Sequence, residues 1–266
     1  MRGELNVSDA VVTFAKAETT GTITLNRPPA NSYDIEFMQA LEGAIDAADG
    51  EPQVKAVILR SASDRFFSAG ADIKAFMANS TEANMAMIRT AHRALEKMAL
   101  SPKVFMAAIN GHALGGGLEM ALACDLRFAG EGNYRLGLPE VTLGLLPGNG
   151  GTQRLPRLIG ANKALEMMLT GETVGPEEAH RLGVVNKLFP ADRLLEETEA
   201  YARKVASGAS AAIGKIKQAV YQGTALPLKE ALALERDLIE PLFNTEDAQE
   251  GLTAFVKKRQ PVYVGR

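Results

Sequence analysis

The chain has 266 residues, 46% of them apolar, and a formal net charge of −3. That apolar content is ample for a globular core, and Lys and Arg scattered among Asp and Glu leave no basic stripe for nucleic acid and no acidic tail. The lone cysteine, Cys124, excludes an internal disulfide and lies in an apolar run that suits a buried structural thiol in a reducing compartment.

The opening Met1-Arg2-Gly3-Glu4-Leu5-Asn6-Val7 lacks the apolar stretch of a secretory signal, and no run reaches about 18 clean apolar residues, so a cytoplasmic protein without a membrane partner is expected. Up to about residue 190, β-rich runs alternate with helical patterns. The strands are Thr22 to Leu25, Val54 to Leu59 and Val104 to Ile109; the helices include Ile35 to Ala48 and Thr81 to Leu100. A methionine-rich helical stretch from Ala75 to Thr90, with Met77, Met85 and Met87, suits the border of a bound chain and equally the filling of an ordinary core. The alternation predicts an α/β architecture whose crossovers return each strand to a common sheet or spiral. From about residue 191 the pattern is helical: Arg193 to Ala206, Ala211 to Tyr221, Leu228 to Phe243 and Thr245 to Lys258, the last capped from Asn244-Thr245-Glu246-Asp247. Two regions follow, a 1–195 catalytic part and a 196–266 helical part whose apolar stripes are expected to meet other subunits.

Of the 25 glycines, 11 fall between Gly111 and Gly151, a density that marks close backbone approach. Gly115-Gly116-Gly117 runs into an apolar helical segment carrying Glu119 in its first turn. Bare N–H groups at the positive end of a helix stabilise negative charge, and a carboxylate within a few residues could serve as a general base, a pairing suited to carbonyl chemistry. The same residues also suit tight packing, with Glu119 complementing the helix dipole. No Gly-rich loop ends in Gly-Lys-Ser or Gly-Lys-Thr, no dinucleotide fingerprint or Gly-x-Ser-x-Gly elbow occurs, and His92, His112 and His180 are dispersed, so neither a metal nor a nucleotide cofactor is expected. His112, between Gly111 and Ala113, is expected to be a hydrogen-bonded structural imidazole.

Three runs, Phe67-Ser68-Ala69-Gly70-Ala71-Asp72-Ile73-Lys74, Ile109 to Glu119, and Pro139-Glu140 through Pro147-Gly148-Asn149-Gly150-Gly151-Thr152 to Leu155, resemble the enoyl-CoA hydratase, or crotonase, family, as does the ending from Asn244 to Arg259. The resemblance spans the chain from about Gly21 in consistent order. It implies a crotonase-like spiral of ββα turns followed by a helical oligomerisation region, assembled as a homotrimer or as a hexamer made of two trimers. It further implies a lyase of the fatty-acid β-oxidation type that acts on acyl-CoA thioesters, with coenzyme A as part of the substrate and no separate cofactor.

Carried over by position, the resemblance places the oxyanion-hole N–H groups on Ala71 and Gly116, the paired carboxylates on Glu119 and Glu140, and a water-holding glycine on Gly148. The coenzyme A contacts fall on Ala30, Ala69, Gly70, Asp72, Ile73 and Lys74, with Phe255 and Lys258 supplied by a neighbouring subunit. Glu119 is expected to activate the water and Glu140 to protonate C2. Two alternatives stand beside this reading: a Δ3,Δ2-enoyl-CoA isomerase that uses one carboxylate, and an inactive member that binds a CoA ligand or RNA. Two departures from the family pattern are visible: the Asn26–Ser32 segment is one residue short and lacks a lysine contact to coenzyme A, and Asn149 stands where small apolar residues are frequent.

Overall fold

The computed structural model describes residues 10–266, so the Met1–Val7 stretch lies outside the described residues. Strands β1 (Val12–Ala17) and β2 (Thr20–Leu25) form an antiparallel hairpin, and helix α1 (Ile35–Gly50), capped by the Asp34 carboxylate, carries the chain across to β3 (Ala56–Ser61), parallel to β2. A repeating pass follows, in which a long strand gives way to a short strand in a second sheet and then to a helix. The passes are β3, β4 (Phe66–Ser68), α2 (Ile73–Ala78) and α3 (Thr81–Leu100); then β5 (Val104–Ile109), β6 (His112–Leu114) and α4 (Gly116–Ala123). The third runs through β7 (Leu126–Gly130), β8 (Leu136–Gly137), α5 (Gly151–Ile159) and α6 (Ala161–Thr170).

Next come β9 (Thr173–Val174), α7 (Pro176–Leu182) and β10 (Lys187–Phe189). The six-stranded sheet runs β1-β2-β3-β5-β7-β10 and the four-stranded one β4-β6-β8-β9. This is the expected spiral of ββα turns. The tail comprises α8 (Leu194–Ala206), α9 (Ser210–Gly223), α10 (Leu228–Ile239) and α11 (Glu246–Val256).

Burial explains the long strands. Every residue of β5, Val-Phe-Met-Ala-Ala-Ile, is buried, as a strand covered on both faces requires. Alternate side chains feed two cores: Leu59, Phe105 and Ala107 join the larger one beneath α1, α3 and α4, whereas Ile58, Met106 and Phe128 meet Leu194, Ala202 and Ala206 of α8. Helix α8 therefore spans the expected boundary at 195/196 and seals the back of the sheet, and the helices that stand further out begin at α9.

Two expected helices are shorter than their patterns. The Ala75–Thr90 stretch is broken at Asn79-Ser80, where the Ser80 hydroxyl caps α3 by accepting from the Ala83 N–H at 3.2 Å. Met77 on α2 is consequently 83% exposed and Met87 on α3 buried, so these two do not form one apolar wall. Helix α10 ends at Ile239, and Pro241 sits in the 3-10 turn Glu240–Asn244 that leads to the Thr245 cap of α11. Among the described residues no helix is long and apolar enough to cross a membrane.

Leu59→Ala and Ile58→Ala probe the two cores from adjacent positions. Each should lower the unfolding free energy by about 2–5 kcal/mol in urea titrations, because neither cavity opens to solvent.

Candidate active site

The site starts from two backbones that touch. Gly115 (φ 54°) links β6 to α4 and Gly70 (φ 90°) follows β4, both in the region open to residues without a Cβ. A Cβ on Gly70 would lie 2.8 Å from the Leu114 carbonyl oxygen and 3.2 Å from the Gly116 nitrogen. Ala71 pairs with Tyr33 in an isolated parallel bridge, in which the Tyr33 N–H donates to the Gly70 oxygen at 2.9 Å and the Asp72 N–H donates to the Tyr33 oxygen at 2.8 Å. That pattern turns the N–H of Ala71 away from Tyr33. Gly116 is the first residue of α4, so its N–H has no acceptor within the helix. Two N–H groups thus lie on neighbouring turns at the positive end of α4, and neither donates to a backbone acceptor among the described residues.

Both expected carboxylates flank this turn. Glu119 is buried, and its Oε1 accepts from the N–H groups of Asn149 and Gly151, each at 2.7 Å. Its side chain is therefore held by the turn that opens α5 rather than simply answering the dipole of its own helix. Burial raises its pKa, and the two N–H bonds and the nearby Arg154 guanidinium oppose that shift. Glu140 follows Pro139 at the start of the 3-10 turn Glu140–Leu143, and its Oε1 lies 3.0 Å from where a Cβ of Gly115 would stand. Its Oε2 is buried without a partner among the described residues. Burial, reinforced by the charge of Glu119, pushes this acid up to about 7 against the opposing pull of its own backbone N–H. One acid is fixed by two N–H donors from another loop, and the other has only its own backbone N–H.

The remaining expected residues surround this centre. The Gly148 carbonyl is bound by His92 Nε2 at 2.6 Å, and the Gly148 N–H makes no backbone bond among the described residues. The Ala69 N–H donates to the Ala30 oxygen at 2.9 Å, so the two segments assigned to coenzyme A are joined. The Asp72 carboxylate caps α2 by accepting from the N–H groups of Lys74 and Ala75, which leaves Ile73 and Lys74 exposed at the start of that helix. Phe255, 85% exposed, lies in the last turn of α11, and Lys258 follows it in a left-handed conformation (φ 51°). Outside the centre, the His112 Nδ1 accepts from the Arg135 N–H at 3.1 Å, and burial pushes the Cys124 thiol up to about 12, as structural roles require.

Sequence reasoning missed two groups. The N–H of Gly151 completes the grip on Glu119, and the buried Tyr33 hydroxyl accepts from Asn149 Nδ2 at 2.6 Å. The flag on Asn149 was the only signal pointing here; nothing local to Tyr33 announces a partner 116 positions away.

The family model described as Enoyl-CoA hydratase/isomerase matches residues 15–266. A probable enoyl-CoA hydratase of Rhizobium meliloti is 41% identical over 248 residues, covering 92% of this chain and 95% of that protein. A short-chain-enoyl-CoA hydratase of Clostridium acetobutylicum is 36% identical over 94% of this chain and 95% of its own. Among solved structures, an enoyl-CoA hydratase from Bacillus anthracis superposes with a TM-score of 0.92 at 37% identity, covering 97% of this chain and 100% of that one.

Glu140 gives the site a pH signature. Its carboxyl keeps a proton up to about 7 in the folded chain against 4.5 as a free side chain, so the folded state binds more protons between these values and its stability falls as pH rises through them. Glu140→Gln should flatten that part of the stability–pH curve, as measured by denaturant unfolding at half-unit steps.

Proposed function

The chain belongs to the enoyl-CoA hydratase/isomerase family, and on that premise we propose that it is an enoyl-CoA hydratase. It adds water reversibly, on one face, across the 2,3 double bond of a trans-2-enoyl-CoA thioester to give the 3-hydroxyacyl thioester. The observation that carries this reading is the single turn around Gly115 and Gly116, which has an uncommitted N–H at its centre, one carboxylate packed against it and a second in the helix turn that follows.

The chemistry follows from those groups. Attack of water on C3 pushes electrons through C2 onto the thioester oxygen, and the N–H groups of Ala71 and Gly116 meet the charge that forms there. One such fixed donor is worth about 3 kcal/mol in the transition state. Glu119, held ready by the N–H groups of Asn149 and Gly151, takes the proton that the water loses. Glu140, whose pKa of about 7 leaves about half of it protonated at neutral pH and more below, gives its proton to C2. The Gly148 N–H steadies the water between them. Dehydration reverses each step, and every group required belongs to the protein, coenzyme A being part of the substrate.

The coenzyme A moiety would lie along Ala30 and the Ala69–Lys74 segment, with Lys74 near a phosphate. Phe255 and Lys258 of a neighbouring copy would complete that pocket in a homotrimer or a dimer of trimers. The exposed apolar side chains Ile216, Val220, Leu228, Leu252, Phe255 and Val256 on α9 to α11 support such an assembly.

Purified protein with crotonyl-CoA tests the reading directly, followed by loss of the conjugated thioester absorbance and recovery of the 3-hydroxy product. Glu119→Gln and Glu140→Gln should each lower kcat by about 10²–10⁴ with little change in KM. The wild-type hydration rate should also fall as pH rises past about 7, where Glu140 loses the proton it must give. A protein that shifts the double bond of a 3-enoyl thioester but never adds water overturns the proposal.

A further inference from the structure

Tyr33 has no part in the chemistry above, yet its hydroxyl reaches the centre of the site. The ring is buried beneath the glycine turn, and a Cβ on Gly116 would overlap the hydroxyl, so the bare Gly116 leaves room for this oxygen. Asn149 Nδ2 donates to the hydroxyl at 2.6 Å, and the N–H of the same residue donates to Glu119 Oε1 at 2.7 Å. Asn149 thus has one hand on the phenol and the other on the acid. Its Oδ1 is buried without a partner, so the Tyr33 oxygen is the sole anchor of this amide among the described residues. The phenol is suited to the task, because burial and the charges of Glu119 and Glu140 hold its pKa above the ordinary tyrosine value and keep it neutral.

We propose that Tyr33 and Asn149 form a positioning pair, in which the phenol oxygen anchors the Asn149 amide and so fixes the Asn149–Gly151 turn that presents Glu119 as acceptor of the water's proton. The inference rests on the hydratase reading and deepens it. Tyr33 acts through Asn149 and is a positioning residue, not a catalytic one. A phenylalanine at this place would keep the ring volume and leave Asn149 Nδ2 buried with no acceptor, a costly arrangement that the turn relieves by moving. Movement withdraws an N–H from Glu119 and favours its protonated form. The other groups that face Glu119, namely the Gly151 N–H, the Arg154 guanidinium and the carboxyl of Glu140, remain in the variant.

The experiment compares wild type with Tyr33→Phe, Asn149→Ala and the double variant. Each single change should lower kcat for crotonyl-CoA hydration about tenfold, as expected for loss of one buried hydrogen bond, and leave KM within about twofold. The acidic limb of the rate–pH profile should move to higher pH, and the double variant should be no slower than the worse single one, because both remove the same contact. NMR titration of ¹³C-carboxyl-labelled glutamates, with Glu119 assigned by Glu119→Gln, reads the same rise without turnover. Tyr33→Phe with an unmoved acidic limb overturns the pairing, whether or not its thermal stability falls, and so does a double variant whose losses multiply. A wild type that hydrates nothing defeats the hydratase reading instead, and the NMR titration then decides the pair by itself.

Discussion

Close approach of two bare backbones, at Gly70 and at Gly115-Gly116, is the constraint on which the site rests. A Cβ on Gly70 would stand 2.8 Å from the Leu114 oxygen, closer than carbon and oxygen tolerate, so any larger residue drives the two loops apart. Their separation sets the spacing of the Ala71 and Gly116 amides. It also seats Glu140 against Gly115 and leaves the space that the Tyr33 hydroxyl fills. The spiral makes this approach possible, because successive passes end their short strands β4 and β6 side by side and in parallel, releasing both chains at the same edge.

The two acids are unlike in a way that suits opposite duties. Glu119 has a pair of N–H donors on one oxygen and a guanidinium nearby, which favour the ionised form, whereas Glu140 has an oxygen with no partner among the described residues. Burial raises both, and the surrounding donors decide which acid more readily keeps its proton. Two identical side chains thereby acquire different characters from their surroundings alone.

Much of the frame was legible from periodicity. The long strands and the helices α1, α3 and α8 have apolar spacings strong enough to read, and the glycine cluster pointed to the site before any geometry was known. The paired roles of Glu119 and Glu140 came from resemblance, since periodicity says nothing about where two side chains twenty-one positions apart will meet. The short strands β4, β6, β8 and β9, each of two or three residues, are too brief to display a repeat. The helix from Thr81 to Leu100 was legible and is α3, whereas the overlapping apolar spacing from Ala75 to Thr90 runs through the Asn79-Ser80 break that the Ser80 hydroxyl bond marks. Tyr33 was invisible for a different reason: its meaning lies wholly in a contact between distant parts of the chain, and an isolated aromatic residue at the entrance to α1 reads as core.

The grip on Glu119 has a consequence for biogenesis. The acid emerges from the ribosome with β6 and α4, but its two N–H donors belong to residues 149 and 151, encoded some thirty codons later. A nascent spiral that stopped before them would have to enclose a carboxylate with nothing to satisfy it, a cost that opposes closure of the second pass. Satisfied burial of Glu119 beside the glycine turn is thereby tied to arrival of the third pass.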